Sequence, residues 1–187
     1  VSFPPSEIID GDYKSGIYSV IDDIDGDYKP EIVFIYRDRF IVNGSSGNSI
    51  KVDINIDEDD RLDKDNRPVL GSRGDFDLDG IGDFWLGFRY RQVGGQFLGE
   101  LNLINGGALA RKLRDKNKET TIDDISTIKV VGTNRYEPVI NGIGYDLSRN
   151  AGDIDGDGLL DLVTVSHYEL NKRGIIYVIL SHDLMQL

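Results

Sequence analysis

Apolar residues fall in short runs of four to seven separated by Gly, Asp and Asn, not at helical spacing. In the first third of the chain, Gly16–Ile21, Glu31–Tyr36, Arg39–Val42 and Ser49–Asn55 are rich in Ile, Val, Phe and Tyr. The last of them alternates apolar and polar, as a half-buried strand does. Similar runs return at Val69–Arg73, Asp83–Phe88 and Gln96–Ile104, and again at Gly142–Ser148, Asp161–Val165 and Gly174–Leu180. Asn43-Gly44 and Asn105-Gly106 stand at strand ends as turn signals. Only Ala108–Lys116 has a helical pattern. These elements predict an all-β fold of about three four-stranded sheets.

Between the first two strands of each set lies an acidic loop of nine residues. The loops are Asp23-Ile-Asp25-Gly-Asp27-Tyr-Lys29-Pro-Glu31, Asp75-Phe-Asp77-Leu-Asp79-Gly-Ile81-Gly-Asp83 and Asp153-Ile-Asp155-Gly-Asp157-Gly-Leu159-Leu-Asp161. Carboxylates occupy positions one, three, five and nine of each. Calcium takes six to eight hard oxygen ligands at about 2.3–2.6 Å, and a tightly curled loop can gather them. Glycines permit the positive φ angles of such a curl. The carbonyls of Lys29, Ile81 and Leu159, at position seven, are the expected fifth protein ligands. Without a cation, four clustered carboxylates repel one another and raise their own pKa values. Up to three Ca²⁺ ions are therefore expected. Tyr28 and Glu31 stand where the other loops have Gly and Asp, so the sequence ranks the first loop below them. An EF-hand also needs a bidentate Glu at position twelve and helices on both sides. Position twelve is Phe34, Leu86 and Thr164, which excludes it.

The loops begin at 23, 75 and 153. The longer interval holds an extra piece at 106–127, and without it one unit of about 52–60 residues occurs three times. The expected units are about 10–60, about 61–135 with that insertion, and about 136–187, whose outer strand 1–9 could supply. Gly142–Val165, continuing to Gly174–Val178, resembles an FG-GAP repeat, the blade of the integrin α-subunit β-propeller and of many bacterial surface and secreted proteins. Leu101–Ala110 resembles the blade-closing segment and short helix of the bacterial versions. The resemblance implies a propeller-like array in which the calcium loop joins the first two strands of each blade. Propellers usually have four to eight blades. Three imply part of a longer propeller, half of a dimeric six-bladed ring, or a self-assembling filament subunit whose edges pair with its neighbours.

Composition narrows the partners. The chain has 187 residues, 33 Asp+Glu against 21 Lys+Arg, and a net charge of −12. That balance argues against nucleic acid or an anionic membrane surface. No apolar run approaches the roughly 20 residues of a membrane span. There is no cysteine, hence no disulfide, thiolate zinc site or thiol nucleophile. The opening Val-Ser-Phe reads as a mature or trimmed product, with any targeting signal lost from view. The expected setting is secreted or cell-surface, with a protein, a glycan or copies of the chain itself as partner.

Other motifs have plainer readings. Arg73-Gly74-Asp75 is an RGD tripeptide, but Asp75 is needed by the metal loop. Phe84, Trp85, Phe88 and Tyr90 could stack on a sugar, yet Phe84, Leu86, Phe88 and Tyr90 share one strand face, as core packing requires. Asn43-Gly44-Ser45 fits both a glycosylation sequon and a hairpin turn. Arg111, Lys112, Arg114, Lys116 and Lys118, interleaved with Asp115 and Glu119, read as a solvated helix face. His167 and His182 read as rim histidines. No nucleophile elbow, phosphate loop or zinc helix is present. The expected role is adhesive or structural and not enzymatic, with the propeller domain of a secreted carbohydrate-active enzyme as the alternative.

Overall fold

A computed structural model describes residues 17–36, 38–44, 47–55, 68–88, 91–93, 96–97, 99–115, 118–131, 151–166 and 175–184. The expected strand 142–148, the segment 1–9, Tyr90, His167 and Ser45 lie outside them. Thirteen strands and two α-helices are found among the described residues.

The first sheet is antiparallel through β1 (Ile17–Ile21), β2 (Glu31–Ile35), β3 (Arg39–Asn43) and β4 (Ser49–Asp53). Its register pairs Ile21 with Glu31, Val33 with Val42, and Val42 with Ile50. Alternation places Val33, Ile35, Phe40, Val42, Ile50 and Val52 on one buried face. The second sheet has the order β11-β9-β6-β5, from β5 (Val69–Gly74), β6 (Asp83–Phe88), β9 (Glu100–Ile104) and β11 (Ser126–Val131). Between β6 and β9 the short strands β7 (Gln92–Val93) and β8 (Gln96–Phe97) pair as a hairpin. In the third set, β12 (Leu162–Ser166) pairs antiparallel with β13 (Ile175–Ile179). The all-β class is thus observed, as several open sheets.

The insertion is not a detached excursion. Helix α1 (Gly106–Arg114) starts two residues earlier than the pattern predicts, because the Asn105 side chain accepts from the Ala108 N–H and caps it. Next, β10 (Glu119–Thr121) joins the far edge of the first sheet, parallel to β4. A 3₁₀ turn at Ile122–Asp124 leads back to β11 in the second sheet. The insertion therefore ties the two sheets together.

Two cores lie between sheets. The first joins Val33, Phe40 and Val42 of the first sheet to Phe84, Leu86, Phe88 and Ile104 of the second, closed by Leu109 and Leu113 of α1. Phe40 meets Phe84 edge-to-face at 6.1 Å. The second core joins Phe76, Trp85, Leu101 and Leu103 to Leu162, with Leu160 and Ile179 packed against it. All six residues of β6 are buried, because this strand has a core on each face. Phe84, Trp85 and Phe88 are thus core residues. The Arg73 guanidinium donates to the Val20 carbonyl across the first junction.

Candidate metal centres

Each acidic loop is curled by the same hydrogen bonds. The position-one carboxylate accepts from the N–H of position six: Tyr28 to Asp23 at 2.6 Å, Gly80 to Asp75 at 3.0 Å and Gly158 to Asp153 at 2.8 Å. Position three accepts from position five, at 3.2, 3.1 and 3.2 Å for Asp25, Asp77 and Asp155. Position five accepts from the N–H of position seven, Lys29, Ile81 or Leu159, at 3.0, 2.8 and 2.8 Å. Position nine reaches back to the N–H of position two: Ile24 to Glu31 at 2.6 Å, Phe76 to Asp83 at 2.9 Å and Ile154 to Asp161 at 2.6 Å.

The curl demands positive φ at positions four and six. Gly26, Gly80, Gly156 and Gly158 supply it at φ 84–91°, while Tyr28 and Leu78 adopt it without being glycine, at 66° and 60°. Tyr28 therefore does not spoil the first loop; it takes the required conformation at a steric cost.

Oxygen ligands roughly 2.4 Å from a common centre lie no more than about 4.8 Å apart. Asp23, Asp25, Asp27 and Glu31 can each bring one oxygen within 4.8 Å of all the others, so the first loop gathers all four carboxylates. The second gathers Asp75, Asp77 and Asp83 in this way, and the third Asp153, Asp155 and Asp161. Asp79 and Asp157 stand outside those trios. The loop ranked lowest by sequence is the most completely assembled.

Glu31 carries the strongest electrostatic signature. It is fully buried, and one carboxylate oxygen, Oε1, has no hydrogen-bond partner. Burial pushes its pKa up to about 7; the Ile24 N–H opposes this, and the negative charges of Asp25, Asp23 and Asp27 add to it. Asp83 is raised to about 6, again chiefly by burial, against the N–H groups of Gly106 and Phe76. Asp153, at the exposed mouth of the third loop, is held below the usual range, mainly by the Gly158 N–H.

Sequence reasoning missed the residues that close the second and third loops. The Gly106 N–H donates to Asp83 Oδ1 at 2.8 Å, and the Ser181 N–H donates to Asp161 Oδ1 at 2.9 Å. Each stands two residues past the end of β9 or β13, the strand paired with the one that follows the loop, and that position was the available signal. Asn105 Nδ2 donates to Asp77 Oδ2 at 2.5 Å, so one side chain caps α1 and orients a loop carboxylate. Gly106 has no room for a side chain, since a Cβ there would lie 2.1 Å from the Gly82 carbonyl oxygen. His182, in the short helix α2 (Ser181–Leu184), is not an isolated rim residue. Its Nδ1 lies 3.1 Å from Asp155 Oδ2 and 3.6 Å from Asp157 Oδ2.

Compared with known protein families and with curated proteins, the sequence matches none of them.

Proposed function

We propose that this chain is a calcium-stabilised, propeller-like module of FG-GAP type that serves an adhesive or structural role outside the cell. The observation that carries the metal reading is the first loop. Four carboxylates converge there, and the one at the bottom is fully buried with an unpartnered oxygen. The oxygen-only donor set of the first loop suits Ca²⁺ better than a transition metal, which favours nitrogen or sulfur. Asp23, Asp25, Asp27 and Glu31 would hold the ion in the first loop, with the Lys29 carbonyl beside them. Asp75, Asp77, Asp79 and Asp83 with the Ile81 carbonyl, and Asp153, Asp155, Asp157 and Asp161 with the Leu159 carbonyl, would serve the others. A bound divalent ion offsets the mutual repulsion of these groups and locks the first two strands of each sheet together.

The propeller reading is supported by two loops that each join the first two strands of a sheet, by a third that leads into β12, and by sheets stacked face to face through two successive cores. Among the described residues no helix is long and apolar enough to cross a membrane. Burial of Phe84, Trp85 and Phe88 favours the structural role over sugar binding, because those rings form the core. Thermal melting in calcium, in magnesium and in chelator tests the metal reading. Calcium at about 1 mM, the range of extracellular modules, should raise the melting temperature above both other conditions. Identical melts in all three would overturn it.

A further inference from the structure

The sheets repeat position by position, so equivalent residues can be compared between them. In β3, β9 and β13, Phe40 and Val42 correspond to Leu101 and Leu103, and to Ile176 and Val178, by their register from the loop's last residue. The first two pairs are at most 2% exposed, because each packs on the following sheet. Ile176 and Val178 are 68% and 52% exposed. The opposite face shows the converse. Phe84 and Leu86 of β6, and Leu162 and Thr164 of β12, face the preceding sheet and are fully buried. Their equivalents Ile32 and Phe34 are only half-buried, and Val20 and Tyr18, their cross-strand partners, are 44% and 75% exposed.

The described residues thus present one unpaired forward face, on the third sheet, and one unpaired rear face, on the first. These are the two senses of face that meet at both internal junctions. A contiguous exposed apolar patch on a sheet face can mark an interaction surface, and the two faces here are complementary in kind to each other. We propose that a second copy of the chain covers them, Ile176 and Val178 of one copy packing on Tyr18, Val20, Ile32 and Phe34 of the other. Such contacts either form twice and close a pair or propagate as an open ladder.

The contact rests on sheet packing and not on the metal, so the experiment is run with about 1 mM calcium and again with chelator. Light scattering after gel filtration and native mass spectrometry are applied to the full chain at about 100 μM, above the micromolar end of the range for specific interfaces. The expected result is a dimer or a longer assembly in at least one condition. Ile176→Glu/Val178→Glu and Tyr18→Glu/Val20→Glu alter exposed positions, so both variants should fold, as circular dichroism would verify, and each alone should be monomeric. Mixed one to one, each retains one intact face, and they should form a one-to-one pair through a single junction. A monomeric wild type in both conditions, association unaffected by either variant, or variants that stay monomeric when mixed would each overturn the proposal.

Discussion

Glu31 sits where a proton and the proposed cation would compete for the same oxygens. Its pKa of about 7 in the folded chain exceeds the ordinary 4.5, because burial and three neighbouring carboxylates disfavour its charge. The folded state therefore holds an extra proton between these values. In chelator, stability gained from that proton is full below about pH 4.5 and is lost as pH rises through about 7. Calcium binding at the first loop should strengthen over the same interval and release protons as it does so. Titration calorimetry in buffers of different ionisation heat at pH 6 and 8 measures this release. Glu31→Gln should abolish the Glu31 contribution, and an unchanged proton count in that variant would contradict the assignment. Backbone strain gives a second prediction at this scale. Tyr28 is 96% exposed and left-handed, so Tyr28→Gly should stabilise the chain by about 1 kcal/mol, read as a higher melting temperature. Gly156→Ala should cost about as much, with backbone conformation as the cause, since nothing lies within 4 Å of the added Cβ. The acidic spacing was legible in the sequence because it is local. The tolerance of Tyr28 was not, since the motif pattern cannot tell a strained residue from a forbidden one.

At the level of elements, the strands were read well wherever apolar alternation and β-branched residues coincide, as in β2, β4 and β6. The start of α1 was misread because Gly106 and Gly107 are poor helix formers; Asn105 and the contact with the second loop hold them there. The pairing of β10 with β4 could not be read, because it joins residues far apart in sequence and three-residue strands carry little pattern of their own. Asn105 links the helix to the second acidic loop. Asn105→Ala should remove both the cap and the Asp77 contact, costing about 1–2 kcal/mol, and should weaken calcium at the second loop while sparing the first. Denaturant unfolding with calcium titration would show this, and an equal loss at both loops would contradict it.

Across the whole molecule, stability comes from sheets stacked face to face, with β6 shared by both cores. Trp85 is fully buried and packs edge-to-face on Phe76 at 6.1 Å. Trp85→Ala should cost about 3–5 kcal/mol by chemical denaturation, as for other large core truncations, and should loosen the second junction more than the first. The net charge of −12 also reads differently with ions bound, because twelve of the acids lie in the three loops. The most direct test of calcium as the organising element is titration calorimetry on the full chain beside Asp23→Asn, Asp75→Asn and Asp153→Asn. Up to three equivalents are expected for the wild type and one fewer for each variant whose loop binds. Absence of binding heat at about 5 mM calcium, above the affinity range of extracellular modules, together with an unmoved melting temperature, would contradict it.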